Sequence, residues 1–229
     1  MKNIVVLSGA GVSAESGVKT FRDAGGLWEG YDVMDVASID GWIKDKSLVL
    51  DFYNQRRRQL FTVEPNIAHH AIAKLEEKHQ VTIVTQNVDD LHERAGSSNV
   101  IHLHGELLKV RGVNSYKEEI YWDKDVVLGD KNAKGEQLRP AIVWFGEQVP
   151  KIDDAVFEIA KCDILIIIGT SLQVYPAAGL VGVAKRAKQI FYVDPNPASS
   201  YETRSLQNLT VISKPATSGI LDVLQMIEE

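Results

Sequence analysis

Short β-branched runs that stay apolar on consecutive residues constrain this chain most. They are Ile4–Leu7, Val81–Thr85, Val100–Leu103, Ile142–Trp144, Ile164–Ile168, Ile190–Val193 and Leu209–Ile212. A strand with one wet face alternates apolar and polar residues, whereas a strand covered on both faces has no need to. Helical patterns lie between many of them, at roughly 42–61, 66–78, 152–161, 177–188 and 215–228. Strand alternating with helix predicts an α/β fold, a doubly wound, Rossmann-like parallel sheet with its ligand at the carboxyl ends of the strands. Two stretches interrupt the alternation. Residues 18–61 are longer than one crossover helix requires, and residues 105–139 are polar and turn-rich and read as a small inserted strand module. Neither looks large enough for a core of its own, so 1–229 reads as a single domain.

The 229 residues are 45% hydrophobic, ample for a substantial core, and 25 basic against 31 acidic side chains leave a net charge of −6. That balance argues against a general nucleic-acid or membrane-surface binder, which needs an excess of Lys and Arg. The first apolar run is too short for a signal-peptide core, and no stretch approaches the ~20 apolar residues that span a bilayer. A soluble cytoplasmic protein is the expectation, with a monomer as the default. The single cysteine, Cys162, excludes an internal disulfide framework and any Cys₄ or Cys₂His₂ zinc site within one chain.

The first strand runs into LSGAGVSAESG, which supplies G-x-G-x-x-A at Gly9, Gly11 and Ala14. Glycines there allow a tight turn and let backbone N–H groups approach a pyrophosphate. The usual acidic companion would fall near Trp28–Tyr31, which does not read as a strand, so a ligand-free tight turn stays open on this loop alone. A second clue lies at 163–171, where a strand ends in Gly169-Thr170-Ser171, and Asp194 closes the next strand 25 residues on. A carboxylate at that point suits a ribose with free hydroxyls. Equally, Asp194 is well suited to begin the Asp-Pro-Asn-Pro turn.

The strand after the first helices ends in Thr85-Gln86-Asn87-Val88-Asp89. Two amides and a carboxylate facing the crevice suit an amide-bearing ligand such as nicotinamide. A capped turn, with Asp89 or Asp90 at the helix N-cap, accounts for one carboxylate but leaves Gln86 and Asn87 unexplained. In VIHLHGE, His102 and His104 share a strand face. Same-face histidines suggest a metal, but no Cys or third nearby His completes a site. His104, at the strand end beside the crevice, suits a general base. His69, His70, His79 and His92 read as surface or core residues.

These blocks, in this order, resemble the sirtuins, the NAD-dependent protein deacylases. The resemblance runs from GAGVSAESGVKTFRD through TQNVDDLH, HLHGE, PAIVWFGE and GTSLQVYPAAG to the final helix. Tyr53 and Arg56 in DFYNQRRR place it with the bacterial and mitochondrial-type branch. The resemblance implies NAD phosphate and ribose contacts from Gly9, Ala10, Gly11, Ser13, Phe21, Arg22 and Trp28, and a nicotinamide pocket from Gln86, Asn87 and Asp89. It implies an adenosine end at Gly169, Thr170, Ser171, Asp194, Pro195, Asn196 and Ala216, with His104 as general base. Phe145, Gly146, Glu147, Val174 and Tyr175 would flank an acyl-lysine protein or peptide, pairing with it as an added strand. The implied reaction is attack of the acyl oxygen on the anomeric carbon of NAD, releasing nicotinamide, with His104 then activating a ribose hydroxyl to give free lysine and O-acyl-ADP-ribose.

Tyr53 and Arg56 are three apart in a helical stretch, so they share a face and can bind the carboxylate of a succinyl or malonyl group. Arg57 and Arg58 read as a solvated basic face. Two departures stand out: the family's four zinc cysteines are missing from 105–139, with Gly112 near the first position, and Asp194 stands where an asparagine is common. The expectation is therefore a module without zinc, held by apolar contacts among Val113, Tyr116, Ile120, Tyr121, Trp122, Val126, Val127 and Leu128. A mono-ADP-ribosyltransferase cleaves the same NAD bond and is the alternative; His104 and the intact FGE segment favour deacylation. An NAD-sensing module without turnover would predict a damaged pocket, and an ordinary dehydrogenase lacks its acidic residue after the first glycine loop.

Overall fold

The computed structural model describes residues 1–19, 27–28, 30–199, 201–204 and 206–228. Phe21 and Arg22, expected at the cofactor, lie outside them. The chain opens with β1 (Asn3–Ser8), and a two-residue antiparallel ribbon, β2 (Leu27–Trp28) with β3 (Tyr31–Asp32), leads into α1 (Val33–Val36), α2 (Ile39–Lys44), α3 (Lys46–Leu60) and α4 (Ile67–Lys74). Then come β4 (Gln80–Thr85), α5 (Leu91–Arg94) and β5 (Val100–His102). A second, antiparallel sheet holds β6 (Gly105–Gly112), β7 (Ile120–Tyr121) and β8 (Leu138–Ile142). The chain returns through α6 (Ile152–Ala160), β9 (Ile164–Ile168), a 3₁₀ stretch (Ala177–Val183), β10 (Gln189–Val193), α7 (Tyr201–Arg204), β11 (Leu209–Ile212) and α8 (Ala216–Glu228).

The main sheet is parallel throughout, in the order β11-β10-β9-β1-β4-β5. The chain builds outward from β1 through β4 to β5, then restarts on the other side at β9. The loops after β1 and β9 therefore diverge, and a crevice opens between them at the carboxyl edge. Burial explains the apolar runs. Ile4, Val6, Ile166 and Ile168 pack against Ala68 and Ile72 of α4 and Ile220 and Val223 of α8. Val5, Leu7, Leu165 and Ile167 pack on the other face against Ala155 and Ile159 of α6 and the 3₁₀ stretch. Both faces are dry, so no position asks for a polar residue. Among the described residues, no helix is long and apolar enough to cross a membrane.

Three expected element boundaries move. The helix expected at 42–61 begins at Ile39 and breaks at Asp45, whose extended backbone and side chain cap α3 through the Leu48 N–H at 2.9 Å. The strand expected at Ile142–Trp144 ends at Ile142, because the Glu147 carboxylate takes the Trp144 N–H at 2.8 Å and turns the chain. The helix expected at 177–188 is a 3₁₀ stretch that stops at Val183; Gly179 and Gly182 weaken its claim to an α-helix. Trp28 and Tyr31 do pair, as the β2–β3 ribbon, but outside the parallel sheet.

The small module is held less by its own apolar side chains than expected. Val126 is buried and Val113 and Trp122 pack against a separate apolar cluster that includes Phe52, Tyr53 and Trp144, but Tyr116, Ile120, Tyr121, Val127 and Leu128 are exposed. Polar brackets do the rest. Asn54 of α3 accepts from the Val126 N–H and donates to the Val126 carbonyl, both at 2.9 Å, while Arg57 donates to the Leu107 carbonyl at 2.9 Å. Near Gly112, where the resemblance places the first zinc cysteine, Ser115 and Asn132 donate to the Glu136 carboxylate at 2.6 and 2.9 Å. A side chain at Gly112 would collide with Glu136 and Asn132. No group of three or more His, Cys, Asp or Glu among the described residues could hold a metal ion, and Cys162 is buried in the core of the main sheet. These residues do not fit a zinc site. Elemental analysis of the purified protein should accordingly find no stoichiometric zinc, and zinc surviving chelation would overturn this.

Candidate active site

The two glycine loops meet at the crevice. Gly9 N–H donates to the Ile168 carbonyl at 3.1 Å and Gly11 N–H to the Gly169 carbonyl at 2.8 Å. A Cβ on Gly11 would stand 2.7 Å from the Gly169 Cα, and Gly169 itself has φ +62°. Contact this close between backbones excludes side chains and leaves the loop surfaces bare for a ligand. They open onto a cavity of about 670 Å³. Gly9, Ala10, Gly11 and Trp28 line it, as do Gly169, Thr170, Ser171, Asp194, Pro195, Asn196 and Ala216. Asp194 lines the cavity, and its Oδ1 accepts from the Asn196 N–H at 2.8 Å, as the start of the Asp-Pro-Asn-Pro turn. Glu15 fixes the adjoining end of α8, accepting from Thr217 N–H at 3.1 Å and its hydroxyl at 2.7 Å.

Gln86, Asn87 and Asp89 line the inner end of the same cavity. Ser13, expected there too, is instead fully buried beneath the loop and absent from the cavity wall. Its hydroxyl donates to Asp89 Oδ2 at 3.0 Å and accepts from Asn87 Nδ2 at 3.1 Å. His69 backs it. The Asn66 N–H donates to His69 Nδ1 in the capping box of α4, which puts the ring proton on Nε2, 3.4 Å from the Ser13 hydroxyl. Burial lowers His69 to about 4, so the ring is neutral. Burial also raises Asp89 to about 6, against the opposing hydrogen bonds from Leu91 N–H and Ser13. Asn87 Oδ1 is buried without a donor among the described residues, an acceptor that a carboxamide N–H would satisfy. The sequence read His69 as a plain core or surface residue; the signal that marks it is Asn66 three positions earlier, which the capping box pairs with it.

The two same-face histidines separate chemically. His104 Nδ1 lies 3.1 Å from the Gln86 carbonyl, which only accepts, so the proton sits on Nδ1 and Nε2 keeps its lone pair. Burial holds His104 below its ordinary value, and the Gln86 hydrogen bond offsets only part of that. His102 meets acceptors at both nitrogens, the Asn87 carbonyl at 3.0 Å and Glu93 at 2.7 Å. Burial works against its charge, but Glu93 wins and raises it. One ring keeps an unprotonated Nε2 at the cavity; the other is held between two acceptors and braces Asn87.

Tyr53, Arg56, Phe145, Gly146, Val174 and Tyr175 line the same cavity. Tyr53 is fully buried, edge-on to Phe52 at 5.1 Å, and its oxygen accepts from Trp144 Nε1 at 3.0 Å. Arg57 corrects the sequence reading. It is 1% exposed, bonded to Leu107 and Asn54, and lowered to about 10 by burial, whereas Arg58 remains in solvent beside Asp51 and Asp125. Glu147 borders the cavity, but its carboxylate is buried between Arg111 at 3.0 Å and Arg139 at 2.8 Å and is not free to contact a peptide. Trp144, Lys19, Gln59 and Leu107 also line the cavity without having been singled out. Only Trp144 carried a usable signal, sitting in the WFGE segment that the sequence read as strand.

Comparison with known proteins agrees with this geometry. The model for the Sir2 family matches residues 9–176. An NAD-dependent protein deacylase of Helicobacter pylori (strain J99) is 56% identical over 229 residues, covering 100% of this chain and 97% of the relative. A mutant Sir2 homologue solved as its ADP-ribose complex superposes with a TM-score of 0.88 at 37% identity, over 98% of this chain and 91% of that one. A Sir2 homologue–NAD complex gives 0.86 at 36% identity, over 98% and 89%. A match through both glycine loops, the amide cluster and the His104 strand leaves one conclusion: the chain belongs to the Sir2 family.

Proposed function

We propose that the protein is an NAD-dependent protein-lysine deacylase that removes succinyl and malonyl groups as well as acetyl. One observation carries this: the glycine cradle, the bare Nε2 of His104 and the Tyr53–Arg56 pair all face a single cavity. The cradle suits NAD, because the two glycine loops meet backbone to backbone with no side chain between them, Gly9 to Ala10 and Gly169 to Ser171 line the cavity, and Asn87 Oδ1 awaits a carboxamide donor. When bound, NAD would supply an electrophilic ribose carbon, whose bond to nicotinamide breaks as the acyl oxygen replaces it. The chain's own residues do the rest. Gln86 ties β4 to the β9 loop through Thr170 at 3.0 Å, holding the two strand ends in register at the cavity. Phe145 and Gly146 on one side and Val174 and Tyr175 on the other form the rails for an extended acyl-lysine peptide. His104, neutral at pH 7, accepts a hydroxyl proton at Nε2 while Gln86 stabilises the proton already on Nδ1.

The acidic-acyl part rests on Arg56. Its guanidinium stacks on Phe52 at 4.4 Å, and its charge acts on the Tyr53 phenol. A succinyl carboxylate reaching this pair gains charge-assisted hydrogen bonds that an acetyl methyl cannot make. Losing one charged hydrogen bond is worth about 1.5–3 kcal/mol, or about one to two decades in kcat/KM. Arg56→Met should therefore lower desuccinylation by that factor and leave most deacetylation. Equal loss on both substrates would make Arg56 a scaffold residue. Nicotinamide release measured with acylated, unacylated and no peptide separates deacylation from ADP-ribosyl transfer.

A further inference from the structure

We propose that Trp144 is a positioning residue for acyl selection: its indole N–H fixes the direction of the Tyr53 hydroxyl and so leaves that proton for an acidic acyl group. The inference rests on the acidic-acyl reading above and deepens it.

The indole is held from several sides. Its backbone N–H is bound by Glu147, the Arg139 guanidinium lies 3.2 Å from its ring centroid, and Trp42 packs at 5.6 Å. It is 2% exposed, so it cannot swing away without opening the core. An indole nitrogen donates and never accepts. At 3.0 Å from Trp144 Nε1, the Tyr53 oxygen must therefore be the acceptor. A phenol has one proton, and no acceptor among the described residues takes it from Tyr53. Burial pushes the phenol well above its ordinary value, so the proton stays on the oxygen. With one lone pair committed to Trp144, the hydroxyl is restricted in rotation, and Tyr53 lines the cavity beside Arg56. Accepting one hydrogen bond also polarises the O–H and makes it a better donor. A carboxylate arriving at Arg56 meets a hydroxyl that has already lost the alternative of donating to Trp144. An acetyl group has no atom there to accept.

The bland alternative is that Trp144 is only a wall. Trp144→Phe separates the two, since it keeps an aromatic ring and removes the N–H. The readout is the ratio of desuccinylation to deacetylation kcat/KM on one preparation, in which any loss of folded enzyme cancels. A neutral hydrogen bond and the ordering it brings should move that ratio about three- to tenfold toward acetyl. In a Tyr53→Phe background the same substitution should leave the ratio where Tyr53→Phe alone puts it. An unchanged ratio in the single variant overturns the inference, as does an equal drop in the Tyr53→Phe background. If the wild-type enzyme removes no succinyl group, the acidic-acyl reading falls and takes this inference with it. A wild-type desuccinylase indifferent to Trp144→Phe overturns only the role of Trp144.

Discussion

His104→Ala should fold, bind ADP-ribose and lose lysine deacylation by about 10²- to 10⁴-fold. The expectation follows from the ring's surroundings. Nδ1 is committed to the Gln86 carbonyl and Nε2 is left with a lone pair at the cavity. No other described residue of the cavity wall combines a neutral, partner-free nitrogen with that position. Burial lowers the pKa, so protonation, which would silence the base, sets in only below the ordinary 6.5. The rate should hold from pH 8 down to about 6.5 and fall on the acid side of it. Deacylation at saturating NAD gives the rate, and ADP-ribose titration by calorimetry shows that the cavity survives. A variant keeping more than about a tenth of the wild-type rate would place the base elsewhere.

Glu147→Ala should bring the largest loss of stability of any substitution near the site. Glu147, Arg111 and Arg139 have side chains that are 6%, 6% and 4% exposed, and one carboxylate serves both guanidiniums. Removing it strands two cations in the core. Breaking a buried pair by deleting one partner costs about 3–5 kcal/mol, and here the orphaned charges also repel each other. At about 2–4 °C per kcal/mol for a chain of this size, the melting temperature should drop by roughly 6–20 °C. Glu147→Gln, which keeps an acceptor oxygen, should lose less. The same carboxylate gives a pH signature. Burial alone would raise Glu147, but the hydrogen bond and charge of Arg139, with Arg111 behind, hold it below its ordinary 4.5. Its contribution is thus complete above pH 4.5 and is lost as the pH falls through the lower folded value. Scanning calorimetry of both variants is the check; a drop of less than about 3 °C for Glu147→Ala would mean that water or rearrangement shelters the arginines.

The frame was legible in the linear chain because its signals are local. Ile4–Leu7 and Ile164–Ile168 are apolar without alternation because both faces are covered, and that shows in four and five consecutive letters. A glycine after a buried strand marks backbone contact whatever the partner, and Gly9, Gly11 and Gly169 were found that way. Asn87, Asp89 and His104 were legible for a related reason: polar side chains at the end of an apolar strand face the crevice.

Tertiary structure alone decided what depends on rotation about a helix axis or on a partner far along the chain. Arg56, Arg57 and Arg58 are identical letters. Successive helix residues are about 100° apart, so one faces the cavity, one enters the core and one meets solvent. The family resemblance implied a cofactor contact for Ser13, but it lies beneath the wall, where His69, 56 residues away, and Asp89 and Asn87 give it buried partners. Glu147 sits in a segment that borders the peptide path, yet Arg111 and Arg139 draw its carboxylate inside. The Trp144–Tyr53 bond joins positions 91 residues apart. Local propensity carries no information about such a pair, because its geometry exists only once α3 and the turn after β8 have packed against each other.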